Sequence, residues 1–238
     1  EDRHPFAKGK ITVIQRGSDL KGLLPDNVSA LRLQALKDQW GIPMGRPILL
    51  NMARLTAWKG QRVVIEAMAL LQDRLPSDPI AILAGDAQGR DGYLAELKKL
   101  IADNGLQDKV RIVGHCADVP AAMALADIAI VASVEPEAFG RAAVEAQAAR
   151  VPVIVSNLGA VPETVLSPPD AAESERTGWR VAPGDPQALA DAIVRVLGQD
   201  VDEKNKMADR ALAHVRQNFS VETMCARTLG VYAGLLGA

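Results

Sequence analysis

The chain has 238 residues, 48% hydrophobic and 24% charged, with a formal net charge of −2. That length can bury a sizeable core, and the charge balance lacks the basic excess that marks a nucleic-acid binder. No uninterrupted apolar run reaches membrane-spanning length, and no basic-then-apolar secretion signal opens the chain.

Residues 1–10 read as a polar lead-in, and residues 11–238 as one domain with no composition shift inside it. A first strand is expected at Ile11–Gln15 and a second at Ile48–Met52. Gln61–Leu71 then carries Val64, Ile65, Met68 and Leu71 on one helical stripe. After a strand at Ile80–Ala84, Gly92–Asn104 groups Tyr93, Leu94, Leu97, Leu100 and Ile101 in the same way. Strands follow at Val110–Val113 and Ile128–Ala132, then a helix entered at Phe139–Arg141, then a strand at Pro152–Ser156. Pro168 and Pro169 begin a polar surface loop, Ser167–Thr177. A last strand at Trp179–Ala182 precedes helices at Pro186–Leu197, Asp202–Asn218 and Val221–Leu236, with Asp185 and Ser220 as caps.

The strands are near-continuous apolar runs, as parallel strands covered on both faces should be. Their alternation with helices predicts an α/β, three-layer, Rossmann-like doubly wound parallel sheet. Aromatic residues make up only 3%, so Ala, Val, Leu and Ile must fill its layers. Cys116 and Cys225 follow no metal spacing and fit small apolar residues in a reduced, cytoplasmic setting.

Such sheets bind ligands beyond the carboxyl ends of their strands. Four loops lie there: Ala53–Gly60, Gly85–Asp91, Gly114–Val119 and Ser133–Gly140. In the first, Arg54 and Lys59 can converge on one diphosphate, or be two solvated bases. In the last, Glu137 precedes a helix started by Phe139, Gly140 and Arg141, whose free amides and dipole favour an anion. Gly140 permits close backbone approach. Glu145, about one and a half turns in, can accept both hydroxyls of a ribose; alternatively both glutamates simply face solvent near a helix start. Gly85 and Asp86 are either a plain turn or part of the ligand mouth. Gly114 and His115 can present backbone to a base, with His115 as a catalytic base the less favoured use. Asp200 and Asp202 lie between late helices, where a solvated turn is expected rather than a metal site. No Walker phosphate loop, dinucleotide fingerprint or nucleophile elbow occurs.

Six segments in order resemble the C-terminal domain of the family 4 (group 1) retaining glycosyltransferases, which have the two-domain GT-B fold. They are Ile14–Asp19, similar to Pro-Asn-Gly-Val-Asp; Ala53-Arg-Leu through Lys59-Gly60; Leu83–Asp86; Glu137–Glu145, which fits Glu-x7-Glu around Phe-Gly; Gly159–Glu163; and Thr177–Asp185. Ala53 and Ala160 stand where that family often has Gly, and Arg141 where it is often apolar. Glu135-Pro136 adds an acid with no assigned role.

The resemblance implies a donor domain for a nucleoside-diphosphate sugar, UDP or GDP first, with no further cofactor and no required metal. Arg54 and Lys59 would neutralise the diphosphate, and Glu137 would lie near the sugar. Glu145 would hold the ribose, and the amides of Phe139, Gly140 and Arg141 the phosphates. The chain begins about where this domain opens in the family. The implied partners are therefore an N-terminal acceptor domain absent from these residues and an acceptor of unknown kind, glycan or lipid-linked. Transfer by these residues alone is not expected. Cell-surface polysaccharide synthesis in the cytoplasm, with peripheral contact at the inner face of the membrane through that other half, is the setting implied. Two alternatives stay open: a non-catalytic nucleotide-binding or interaction module, and a phosphorylase or epimerase on the GT-B scaffold.

Overall fold

The computed structural model describes residues 9–237, so most of the expected lead-in, residues 1–8, lies outside the described residues. The described residues form strands β1 (Ile48–Met52), β2 (Ile80–Ala84), β3 (Val110–Gly114), β4 (Ile128–Val131), β5 (Val153–Ser156) and β6 (Trp179–Val181). Between and around them run α1 (Ala30–Trp40), α2 (Gln61–Leu70), α3 (Asp91–Asp103), α4 (Val119–Leu125) and α5 (Arg141–Ala148). The chain ends in α6 (Val161–Thr164), α7 (Pro186–Leu197), α8 (Val201–Phe219) and α9 (Val221–Leu236). All strand pairings are parallel, in the order β3-β2-β1-β4-β5-β6.

Successive residues along each strand point to opposite faces, and the apolar side chains divide accordingly. Leu50, Ile82, Val131 and Val155 join the layer that includes α1, α4, α5 and α8. Leu49, Leu83, Ile130 and Ile154 join α2, α3 and α7 on the other side. This is the expected three-layer, doubly wound arrangement. The Gln61–Leu71 stripe is buried as anticipated, with Val64, Ile65, Met68 and Leu71 each at most 1% exposed.

Ile11–Gln15 is not a strand. Ile11 and Val13 are 54% and 75% exposed, and the backbone that follows bonds to the α8–α9 junction instead of the sheet. Ser18 donates to the Phe219 carbonyl at 2.8 Å and accepts from Val221 N at 3.2 Å. The Ser167–Thr177 connection is a surface loop as expected, exposed over most of residues 168–175 but anchored at its end. Arg176 is buried there, donating to the Glu173 carboxylate at 2.6 Å, the Ser167 hydroxyl at 2.8 Å and the Gly178 carbonyl at 3.2 Å. Among the described residues, no helix is long and apolar enough to cross a membrane.

Candidate functional site at the switch point of the sheet

Strand order reverses between β1 and β4. From β1 the chain passes through α2 on one face, and from β4 through α5 on the other. Connections leaving in opposite directions open a crevice between these two strand ends, the place where such sheets receive ligands. A cleft of about 900 Å3 lies there, within the range of small-molecule sites.

The β1 loop is braced from beneath. Ala53 N and Leu55 N donate to the Ala84 and Asp86 carbonyls, both at 3.0 Å. The fully buried Gln61 side chain donates to the Arg54 carbonyl at 2.9 Å and accepts from the Tyr93 hydroxyl at 3.2 Å. Residues Ala57–Lys59 then make a 3-10 turn, and Gly60 caps α2 with φ +71°. A Cβ at Gly60 would lie 1.8 Å from the Ala132 carbonyl oxygen, so only glycine lets the β1 loop close against the end of β4. Val134 N donates to the Trp58 carbonyl at 2.8 Å and ties the two loops together.

That closure brings Lys59 to Glu137. The ammonium Nζ is 2.7 Å from Glu137 Oε1, with the side chains only 16% and 12% exposed, and lies 4.2 Å from the Trp58 ring centroid. The Ser133 hydroxyl donates to the same carboxylate oxygen. The Glu137 carbonyl accepts from Ala160 N at 2.9 Å. Gly159 makes that contact possible, because a Cβ on it would be 2.6 Å from the same carbonyl oxygen. Arg54 is exposed at the cleft, 6.0 Å from the Trp58 ring, with no acidic partner among the described residues.

Gly140 takes φ +78° as the N-cap of α5, and no side-chain oxygen caps that helix. Gly140, Arg141 and Ala142 line the cleft, so the helix start there carries free amides and the positive end of the dipole. Phe139 packs edge-on against Phe219, ring centroids 5.7 Å apart. One turn in, Glu145 is 21% exposed, and its nearest cation is Arg141, Nε to Oε1 3.6 Å. Burial holds the Glu145 carboxyl above its ordinary value, and Arg141 only partly offsets this.

Arg54, Lys59, Gly85, Asp86, His115, Glu137, Phe139, Gly140, Arg141 and Glu145 all line this one cleft, whereas Gly114 does not. Gly114 stands behind the lining, its carbonyl accepting from Gly85 N at 2.7 Å, and its φ of +74° turns the chain so that His115 reaches the mouth. His115 is exposed there. Among the lining side chains that carry a polar or ionisable group, Arg16, Gln88 and Cys116 have no role assigned from the sequence. Burial raises the Cys116 thiol above its ordinary value. Asp200 lies far along the chain from the cleft loops and caps α8, accepting from Asp202 N at 2.8 Å.

Residues 34–214 match the family model of glycosyl transferases group 1. The chain belongs to that family. It is 30% identical over 226 residues to the D-inositol 3-phosphate glycosyltransferase of Corynebacterium glutamicum, covering 94% of this chain and 51% of that one. A glycosyltransferase structure from Rickettsia africae superposes with TM-score 0.88 at 32% identity, over 99% of this chain and 61% of the other. The Anabaena protein HepE, crystallised with UDP and glucose, superposes with TM-score 0.80 at 30% identity, over 93% and 56%. The chain thus spans about half the length of the curated relatives it matches.

Proposed function

We propose that this domain binds a nucleoside-diphosphate sugar and serves its transfer with retention of configuration. The observation that carries the reading is the gathering of two bases and two carboxylates from loops distant in sequence. Arg54, Lys59, Glu137 and Glu145 line one cleft whose volume suits a nucleotide. The Anabaena relative holding UDP and glucose supports the same ligand class.

The chemistry follows from charge. Breaking the sugar–phosphate bond leaves a nucleoside diphosphate with growing negative charge, and fixed donors aimed at that charge lower the barrier. Arg54 offers a planar fork, and Lys59 a point charge held by Trp58 and Glu137. The opening amides of α5 add dipole without reorganising. Glu145 accepts the ribose hydroxyls, and Glu137 faces the sugar once the diphosphate takes over Lys59. The chain's own residues can supply these charges, and no metal enters the reading. UDP and GDP are the first candidates. A further domain would present the acceptor, a glycan or a lipid-linked group, in the cytoplasm or at the membrane's inner face.

Thermal melting of the chain with UDP, GDP, ADP and their hexose conjugates tests this. A ligand selective for the native state raises the melting temperature by mass action. A rise with one base series supports the reading, and a folded sample that responds to none of them sinks it.

A further inference from the structure

Arg16 lines the cleft but belongs to none of the loops that follow the strands. It lies in the segment before the first helix, and its neighbours in sequence are held by α9 and its cap Ser220. Gln15 accepts from Arg227 Nη1 at 2.6 Å. Gly17 N donates to Met224 Sδ at 3.3 Å, and a Cβ at Gly17 would lie 2.6 Å from the Ser220 carbonyl oxygen. Ser18 forms a parallel bridge with Ser220. The backbone just after Arg16 is thus fixed to the start of α9, and the Gln15 side chain before it reaches Arg227 farther along that helix. Its own side chain is exposed and has no hydrogen bond or ion pair among the described residues.

The charge balance of the cleft gives this free guanidinium a purpose. Lys59 is matched by Glu137 at 2.7 Å, and Arg141 by Glu145 at 3.6 Å. Arg54 and Asp86 also line the cleft. Three bases therefore face three acids, and Arg16 supplies the net positive charge that a dianionic ligand needs. We propose that Arg16 is a binding residue for the donor's diphosphate, brought to the donor site by the segment docked on α9. The inference rests on the nucleotide-sugar reading and adds a third side-chain cation to its diphosphate site. A planar guanidinium with no internal partner can form charge-assisted bonds to phosphate oxygens without first breaking others.

Calorimetry on the whole chain tests it, using the base series that the wild type binds, as diphosphate and as free nucleoside. Arg16→Ala is expected to weaken the diphosphate about tenfold, the scale of one charge-assisted contact, and to leave the nucleoside unchanged. Arg16→Lys should recover most of the loss, and the salt dependence of binding should become shallower in Arg16→Ala. Equal loss for nucleoside and diphosphate would mark a structural role and overturn the proposal. Unchanged diphosphate affinity in Arg16→Ala, with the wild type binding normally, overturns it alone. A wild type that binds no nucleoside diphosphate overturns the donor reading and this proposal with it.

Discussion

The two carboxylate corners of the cleft lie eight residues apart in sequence but are held very differently. Glu137 is surrounded by partners: Lys59 Nζ at 2.7 Å, the Ser133 hydroxyl, and a backbone fixed by Ala160 N. Glu145 is half-buried in the wall with one more distant base, Arg141 at 3.6 Å, and its carboxyl is held above the ordinary range by burial. A carboxylate that already has its partners must give some up when a ligand arrives, so it contributes poise more than affinity. A carboxylate short of partners gains hydrogen bonds from a ligand's hydroxyls. Glu145 is therefore the corner that should carry affinity, and Glu137 the corner that releases Lys59 to a phosphate.

The largest expected effect comes from breaking the Glu137 corner through its frame. Gly60→Ala puts a Cβ 1.8 Å from the Ala132 carbonyl oxygen at a φ of +71°. Overpacking plus a left-handed backbone should cost about 3 kcal/mol or more, read by chemical denaturation. Unchanged stability would show that the two loops are not locked together.

Next comes Glu145→Ala. Losing charge-assisted bonds to two hydroxyls should weaken nucleotide binding about ten- to a hundredfold, measured by calorimetry. Unchanged affinity would remove Glu145 from the ribose site and erase the contrast between the corners.

The smallest effect is on pH. The folded state holds the Glu145 proton to higher pH than the unfolded chain, whose ordinary value is 4.5. Its stabilising contribution is thus present below 4.5 and is lost as pH rises through the raised folded value. Glu145→Gln should flatten that part of the stability profile for the empty chain. Nucleotide affinity should run the other way, falling as the pH is lowered through the same raised value. A stability profile identical in wild type and Glu145→Gln would contradict this.

Much of the fold was readable because buried parallel strands are apolar throughout, and six of the seven expected strands lie where they were anticipated, within two residues at their ends. Ile11–Gln15 misled for the same reason: Ile11 and Val13 look like a strand, but β3 and β6 are the sheet's edges and neither pairs with that segment. Helix α1 passed unread because it buries only Leu36 and Trp40, too few to set a period. At the site, Arg54, Lys59, Glu137 and Glu145 were legible from their loops. The Lys59–Glu137 pair was not, because it depends on β1 lying beside β4 and on Gly60 allowing the loops to touch. Arg16 was hidden just beyond what read as a strand, Ile11–Gln15. The only signal for it was a base standing where the family segment usually has Asn.

A bound diphosphate should take over the cations of this cleft. A crystal structure of the chain with whichever nucleoside diphosphate raises its melting temperature tests that most directly. The diphosphate is expected against Arg54 and Lys59 at the start of α5, the ribose on Glu145, and the Lys59–Glu137 contact lengthened beyond its present 2.7 Å. A nucleotide bound elsewhere, or one in the cleft with its phosphates away from both bases, would contradict it.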